Sequence, residues 1–264
     1  MQNFRIIHAN ILQGFIFDGE AYPAKAVHEY NPGKYAEILK SLAPDIVSLH
    51  EVLIDEQDGA SEQVEDIKSW LDLQHYAVSV SEKSWFKPNK FYGSALLTNG
   101  VTRQQETIKI PRPKEKIEAI GPDGSLWVMH DKSALSIDTQ VFNRSVKIIS
   151  LHYFPFHHFG RRLDEKDFDS IREDLVALLD PGDTPTIVIG DFNNKGVALR
   201  DAFPELFANN HFKEAIEVGT SIKGGKDQLD HILYTPDSIE LAHAERIDIP
   251  SDHYGLLADF KFIK

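Results

Sequence analysis

The residues of this chain that could do chemistry are carboxylates and imidazoles next to apolar runs. Residues 228–233 read Gln-Leu-Asp-His-Ile-Leu, and residues 251–253 read Ser-Asp-His just before the last apolar run. A third polar cluster, Gly-Asp-Phe-Asn, occupies residues 190–193. A carboxylate can hold a hard cation, and a histidine can exchange a proton with water near neutral pH. These residue types indicate metal-assisted hydrolysis, provided that the fold brings them together.

Polar residues also end several apolar runs elsewhere in the chain. Asn10, Glu51 and His152 each follow a run rich in Ile, Val or Leu, and Asp191 and Asn193 follow another. Strand ends at one rim of a sheet can converge on a single pocket. Such a pocket would contain carboxylates, carboxamides and imidazoles, but no thiolate and no serine nucleophile motif. Oxygen-rich ligation of this kind selects Mg²⁺ or Mn²⁺ over Zn²⁺.

Hydrophobic periodicity predicts the elements that must position these residues. Amphipathic patterns predict helices over 32–42, 61–73 and 168–179. Strands and helices do not alternate strictly, so the pattern favours an α/β or α+β fold in which two packed sheets carry helices outside. The predicted strands cover 4–10, 45–51, 75–80, 93–99, 125–130, 133–138, 146–153, 186–191, 229–234 and 254–263.

Composition narrows the class of protein. The chain has 264 residues, and its 28 Lys and Arg against 41 Asp and Glu give a net charge of −13, which disfavours a nonspecific nucleic-acid coat. The absence of cysteine excludes disulfides and thiolate metal sites. The N-terminus has no signal-peptide pattern, and no apolar stretch approaches the roughly 18 residues of a membrane span. We therefore expect one domain over residues 1–264 of a cytoplasmic protein, with a removed secretion signal as the alternative; oligomeric state is open.

Seven short segments, taken together, resemble the endonuclease/exonuclease/phosphatase superfamily of DNase-type phosphoesterases. They occur in that family's order and span nearly the whole chain. The resemblance implies a four-layer α/β sandwich, with two central mixed β-sheets flanked by helices, and phosphoester hydrolysis by a metal-assisted water. The segments are His8-Ala9-Asn10-Ile11, Asp45-Ile46-Val47-Ser48-Leu49-His50-Glu51-Val52, Gly93-Ser94-Ala95-Leu96-Leu97, Ser150-Leu151-His152, Gly190-Asp191-Phe192-Asn193, Leu229-Asp230-His231-Ile232-Leu233 and Ser251-Asp252-His253.

The resemblance also implies which residues hold the metal. Glu51 is similar to the family's central metal ligand, and Asp252 resembles a further ligand. Asn10 resembles a residue that either binds the metal directly or orients a ligand. The implied cofactor is Mg²⁺ or Mn²⁺.

Catalytic roles follow from the same resemblance. Asp191 and Asn193 resemble the pair that orients the attacking water and the phosphate. His253 resembles the histidine that activates water or stabilises the pentacovalent phosphorus, and Asp230 matches the carboxylate that orients it. His152 matches the position that binds the scissile phosphate or protonates the leaving group.

Four positions are less settled by the resemblance. Glu82 is either the carboxylate partner of His152 or a solvated loop charge. His50 stands where the family usually has Gln, and Ser150 stands where Thr is common. His231 should face away from its neighbour Asp230 because side chains alternate along a strand, so we expect a structural role.

The leading hypothesis is a phosphodiesterase or nuclease, with nucleic acid or a nucleotide as the candidate substrate. The alternatives are a phosphatase acting on a small phosphomonoester or on a lipid or inositol phosphate, and an inactive binding module of the same fold. The segments 84–92 and 155–162 mix aromatic and basic residues. They would either contact substrate or serve as loop anchors and ordinary surface, and Lys132 is a further candidate phosphate contact.

Overall fold

Two large sheets dominate the fold, described here by a computed structural model for residues 2–17, 19, 29–121 and 124–263. The α-helices are α1 Pro32–Ser41, α2 Glu62–Trp70, α3 Asp169–Leu178, α4 Leu199–Ala202 and α5 Pro204–Phe207. The strands are β1 Phe4–Asn10, β2 Ile46–Ile54, β3 His75–Lys83, β4 Phe91–Thr98, β5 Thr102–Lys109, β6 Glu118–Ile120, β7 Leu126–Val128, β8 Ser133–Val141, β9 Arg144–His152, β10 Thr186–Asp191, β11 Lys213–Glu214, β12 Asp230–Tyr234, β13 Ile239–Ile247 and β14 Gly255–Phe262.

Each large sheet has six strands and is mixed. The first has the order β13-β14-β1-β2-β4-β3, and the second has the order β11-β12-β10-β9-β8-β5. The pairs β1–β2 and β9–β10 are parallel, whereas the other described pairs are antiparallel. The strands β6 and β7 form a separate hairpin. The prediction of two mixed sheets with helices is confirmed.

The apolar contacts form three layers, which place the helices outside the sheets. Residues of both sheets, including Ile6 and Ile148, form the central layer between them. The outer face of the first sheet packs against α1 and α2 through residues such as Leu39 and Ile67. The outer face of the second packs against α3 and α4 through residues such as Leu175. Helices α1 and α2 are capped by the side chains of Asn31 and Ser61.

The strands that sequence patterns missed lie at sheet edges. β5 reads Thr-Arg-Gln-Gln-Glu-Thr-Ile-Lys and is largely exposed, and in β13 only the end residues Ile239 and Ile247 are buried. An edge strand buries little and carries charges that discourage pairing with other chains, so its apolar signal is weak. Between the predicted strands, residues 13–31 lie partly outside the described residues, and residues 112–124 contain β6.

Candidate active site

Inward-facing rows of the two sheets change from apolar to polar at one end of the central layer. Ile6 on β1 and Ile148 on β9 belong to the central apolar layer. Side chains alternate along a strand, so the next inward positions are His8 and Ser150. The rows then end in polar side chains at the carboxyl ends of the parallel strands. The site is therefore built on the same strands whose Ile residues hold the sheets together.

The strand register places several of the predicted residues directly opposite one another on neighbouring strands, in each of the two sheets. In the second sheet, Asp191 of β10 pairs with His152 of β9 on one side and with Asp230 of β12 on the other. In the first sheet, Asn10 of β1 pairs with His50 of β2. The segments that resembled the family thus lie side by side at one end of the sandwich.

Asp230 holds two imidazoles. Its Oδ2 lies 2.7 Å from Nδ1 of His253, and its Oδ1 lies 2.8 Å from Nε2 of His8. All three side chains are buried. Burial disfavours charge on both partners, but the attraction between Asp230 and His253 outweighs it. The pKa of Asp230 is therefore well below its ordinary value, and the pKa of His253 is well above. The couple is an aspartate–imidazolium pair at neutral pH.

Glu51 reaches the site through an irregularity in β2. Strict alternation would turn it away from the face that carries His50, but the register of β2 against β4 shifts between His50 and Val52. Glu51 adopts a φ of 52°, in the left-handed region that is rare for residues other than glycine. Its Oε1 accepts a 3.0 Å hydrogen bond from Nδ2 of Asn10. The bulge explains how two neighbouring residues both serve the site.

The carboxylate of Glu51 has the features of a cation ligand. Its Oε2 is buried and has no hydrogen-bond partner among the described residues. Burial, followed by the negative charge of Asp252, raises the pKa of Glu51 to about 7. A divalent cation would partner the free oxygen and cancel the repulsion. Asn10 donates to this carboxylate through Nδ2, and its Oδ1 accepts the N–H of Leu12 at 3.1 Å. Direct binding of a metal by Asn10 stays a prediction.

Asp191 and Asn193 form a compact turn after β10. The backbone N–H of Asn193 donates to Oδ1 of Asp191 at 2.7 Å, and its Nδ2 donates to the carbonyl of Tyr153 at 3.1 Å. The Oδ1 of Asn193 has no partner within this turn. Burial, together with the charge of Asp230, raises the pKa of Asp191 well above its usual value. The carboxyl of Asp191 is thus poised to take up a proton near neutral pH.

Gly190 is required where β10 approaches its neighbours. A Cβ at this position would lie 2.1 Å from the carbonyl oxygen of Leu151 and 2.5 Å from Cε1 of His50. The ring of His50 therefore sits directly against the backbone that carries Asp191. This close contact leads to a 3.4 Å approach between the Asp191 N–H and Nδ1 of His50.

His50 and Ser150, which stand where the family usually has Gln and Thr, contact each other. The Nε2 of His50 lies 2.9 Å from Oγ of Ser150, which also lies 2.9 Å from Oγ of Ser48. The ring of His50 stacks on His152, with centroids 5.1 Å apart and an interplanar angle of 8°. Burial, with the positive charge of Lys132 second, lowers the pKa of His152 well below its ordinary value, so its ring is neutral. Its Nε2 lies 3.8 Å from Oδ2 of Asp191.

Glu82 is not brought to His152. Its carboxylate accepts a hydrogen bond from the hydroxyl of Tyr92 and lies 3.3 Å from Nε2 of His130 and 4.0 Å from Nζ of Lys132. The described contacts of His152 do not include it. The reason is local: β3 has a register shift just before Glu82, and the β4 partner Tyr92 takes up the carboxylate. The described contacts of Glu82 are therefore with Tyr92, His130 and Lys132 rather than with His152.

Lys132 is a functional candidate for which the sequence alone gives little support. Its side chain is only 6% exposed, which is rare for lysine, and burial lowers its pKa. The carboxylates of Glu82, Glu51 and Asp191 act on its charge in that order. Its position before β8 in the run His-Asp-Lys-Ser gives no periodic signal, so only the fold reveals that it faces the site.

The two aromatic and basic segments differ in their surroundings. Phe156 is buried against Phe168, and Arg161 and Arg162 pair with acidic residues of the following turn. That segment serves mainly as an anchor. In contrast, Trp85 is 40% exposed and lies edge-to-face with Tyr92, next to Lys132.

His231 faces away from the site, with Nδ1 2.6 Å from Glu214.

One group of three residues and the unpaired oxygen of Glu51 are the candidate positions for a metal ion. Ligand atoms of Asp191, Asp230 and His253 lie within 4.8 Å of one another. Both oxygens of Asp230 already accept imidazole N–H groups, however, and Nδ1 of His253 is used in the same way. The free oxygen of Glu51 has no such competitor. The carboxylate of Glu51, whose pKa is raised by burial and by the charge of Asp252, therefore fits a hard cation better.

The sequence comparison agrees with this geometry. The family model described as "Endonuclease/Exonuclease/phosphatase family" matches residues 29–253. The chain belongs to this family. Members of the endonuclease/exonuclease/phosphatase family hydrolyse phosphoester bonds and typically use a divalent metal, and the chain is a hydrolase of this family. No curated protein matches the chain in sequence.

Solved structures of family members and others share the fold. An endonuclease/exonuclease/phosphatase from Beutenbergia cavernae DSM 12333 has a TM-score of 0.72 at 15% identity, covering 99% of this chain and 72% of that one. The human nocturnin catalytic domain with a bound sulfate anion has a TM-score of 0.62 at 19% identity, covering 99% and 95%. A truncated Caenorhabditis elegans TDP2 has a TM-score of 0.59 at 15% identity, covering 98% of this chain and 97% of that one.

Among the described residues, no helix is long and apolar enough to span a membrane.

Proposed function

We propose that this protein is a Mg²⁺- or Mn²⁺-dependent phosphodiesterase or nuclease. The observation that carries the proposal is the buried pair of Asp230 and His253, which lies beside Asp191 within 4.8 Å. A buried imidazolium beside a carboxyl with a raised pKa is an arrangement suited to proton transfer and to stabilisation of a developing negative charge. Family membership supports the phosphoester as the bond that is attacked.

Glu51 and Asp252 are the proposed metal ligands, and Asn10 holds Glu51 in place. The free Oε2 of Glu51 and the repulsion between the two carboxylates support this assignment. A bound Mg²⁺ or Mn²⁺ would neutralise phosphate charge and lower the pKa of water. The donors are all oxygens, as such ions require.

Asp191 is the proposed general base. Burial and the charge of Asp230 raise its pKa to about 8, so its ionised form is a stronger base toward water than an ordinary aspartate. Its orientation is fixed by the backbone N–H of Asn193. The Oδ1 of Asn193, free within the turn, would orient the water or a phosphate oxygen.

His253 is proposed to act as a charged donor rather than as a base. Because Asp230 holds its pKa well above the ordinary value, the ring carries both protons at neutral pH. Its Nδ1 donates to Asp230, which leaves the Nε2 proton for an oxygen of the phosphorus centre as negative charge develops. His152, held neutral by burial, would donate one N–H to a non-bridging oxygen or to the leaving group.

A phosphatase acting on a small phosphomonoester is the second candidate, and Lys132 favours it. A monoester carries more negative charge than a diester, so a buried lysine that faces Glu51 and Asp191 would match it better. The diester proposal gains from Trp85, whose exposed ring next to Tyr92 offers a stacking surface for a base. Both candidates use the same catalytic residues.

The test compares bis(p-nitrophenyl) phosphate with p-nitrophenyl phosphate in Mg²⁺ or Mn²⁺, followed by DNA, RNA, nucleotides and inositol phosphates. We expect metal-dependent turnover with the diester preferred. Glu51→Gln and His253→Gln should each lower kcat by about a hundredfold or more. His243→Gln removes an exposed imidazole on β13 and serves as the matched control.

Each outcome decides between the candidates. A preference for the monoester that Lys132→Met removes would replace the diester assignment by the phosphatase. Turnover that persists in Glu51→Gln and His253→Gln would refute the residue assignments. No metal-dependent turnover on any substrate would refute both enzymatic proposals and leave the inactive binding module.

A further inference from the structure

His8 is a buried histidine to which neither the family resemblance nor the proposed mechanism gives a role. It lies on β1 and is fully buried, in the inward row that contains Phe4 and Ile6. Its Nε2 lies 2.8 Å from Oδ1 of Asp230, on β12 of the opposite sheet. The contact therefore joins the two sheets at the site.

Burying the imidazole of His8 at this position is energetically unfavourable unless the side chain has a role in the site. Its Nδ1 is buried and has no hydrogen-bond partner among the described residues. Leaving a polar atom buried and unpaired is unfavourable, and such atoms in native proteins call for an explanation. An aliphatic side chain would continue the apolar row of Ile6 without this penalty. Core packing alone therefore does not account for histidine at position 8.

The geometry of Asp230 supplies the explanation. A carboxylate bonded only through Oδ2 to His253 could still rotate, because the terminal torsion of aspartate has a broad energy profile. The bond from His8 to Oδ1 removes that freedom. His8 is itself held edge-on to the ring of His50, with centroids 4.7 Å apart. A carboxylate fixed at both oxygens can direct one bond toward the catalytic ring.

We propose that His8 is a positioning residue that fixes the carboxylate of Asp230 and, through it, the ring of His253. This inference rests on the proposed function, in which His253 donates to the phosphorus centre. His8 touches neither substrate nor metal in this scheme. Its contribution is preorganisation: the orientation of His253 is set before substrate binds, so turnover does not include that rearrangement.

Three substitutions at position 8 test whether the side chain must be long enough to donate a hydrogen bond to Asp230 or need only be polar. In His8→Gln the side-chain amide nitrogen occupies nearly the position of Nε2 and can donate to Asp230. In His8→Asn the same amide is one methylene shorter and cannot reach. His8→Leu removes the donor and keeps an apolar core side chain. Ile7→Val, on the outer face of the same strand, controls for a modest loss of packing.

Steady-state kinetics on bis(p-nitrophenyl) phosphate give the first readout. We expect kcat to fall about tenfold to a hundredfold in His8→Leu and His8→Asn, with KM changed less than about twofold. His8→Gln should recover most of the lost kcat, and Ile7→Val should keep it. Equal kcat in the Gln and Asn variants, or a full kcat in His8→Leu, would overturn the proposal.

Proton NMR gives a second readout that does not need turnover. The Nδ1 proton of His253, in a 2.7 Å bond to Asp230, should give a downfield resonance that disappears in His253→Gln. This resonance should shift or broaden in His8→Leu and His8→Asn and stay in place in His8→Gln. If the wild type shows no metal-dependent turnover, the proposed function fails, and the resonance alone decides the role of His8. An unchanged resonance in all three variants would refute it.

Discussion

Replacing Glu51 by Gln should stabilise the metal-free protein at alkaline pH while removing its function. In the folded protein the carboxyl of Glu51 has a pKa of about 7, raised by burial and by the charge of Asp252, against 4.5 in the unfolded chain. The folded state therefore binds this proton more tightly than the unfolded state. Stability that is present below the unfolded pKa is lost as the pH rises through 7.

The size of the effect follows from the two pKa values. Their difference corresponds to about 3 kcal/mol at a pH above both. Glutamine has no proton to lose, and its Oε1 can still accept the hydrogen bond from Asn10. We therefore expect the free energy of unfolding of Glu51→Gln, relative to wild type, to increase by about 3 kcal/mol between pH 4.5 and about pH 8.

The assay is urea unfolding of both proteins in EDTA at the two pH values. Subtracting wild type from variant cancels the titration of all other groups that the substitution leaves alone. Addition of Mg²⁺ or Mn²⁺ at about pH 8 should then stabilise the wild type and leave the variant unchanged, because only the former keeps the ligand. A variant less stable than wild type at about pH 8, or a difference that does not depend on pH, would refute the reasoning.

Three further predictions test other parts of the site. Asp191→Asn should lower kcat on a diester by about 10²–10⁴ with little change in KM, and an equal loss through KM would argue against a general base. Gly190→Ala should lower the free energy of unfolding by more than about 2 kcal/mol in urea titrations, because its Cβ would collide with the Leu151 carbonyl; a neutral result would contradict the packing. His231→Leu should cost about 1–3 kcal/mol of stability, through the loss of its bond to Glu214, with kcat unchanged once folded; lost turnover would show that His231 serves the site.

Local pattern was sufficient for much of the architecture. The apolar runs ending at Asn10, His152 and Asp191 predicted strands at those residues, and three amphipathic patterns predicted α1, α2 and α3. A buried strand has to repeat apolar residues in order to form a core, so it leaves a strong signal. Edge strands such as β5 have no such requirement, and their polar sequences hid them.

The contacts within the site could be predicted only in part from the sequence. The family resemblance implied Asp230 as the partner of His253, although the adjacent carboxylate in the chain is Asp252. The two side chains lie 2.7 Å apart, 23 positions from each other in the chain. Alternation along β12 separates Asp230 from His231, which bonds Glu214 instead. That separation was predictable from the sequence, since the period of a strand is fixed.

The sequence by itself determined the chemical types: oxygen donors for a hard cation, imidazoles for proton transfer, and the strand ends that carry them. Only the tertiary structure decided the contacts that no motif implied. A bulge with a positive φ turns Glu51 into the site, Glu82 is taken by Tyr92, and Lys132 is buried facing the carboxylates. His8 reaches Asp230 because the two sheets pack face to face. Residue types follow from composition and local period, whereas contacts across two sheets depend on register, bulges and packing, which no single segment encodes.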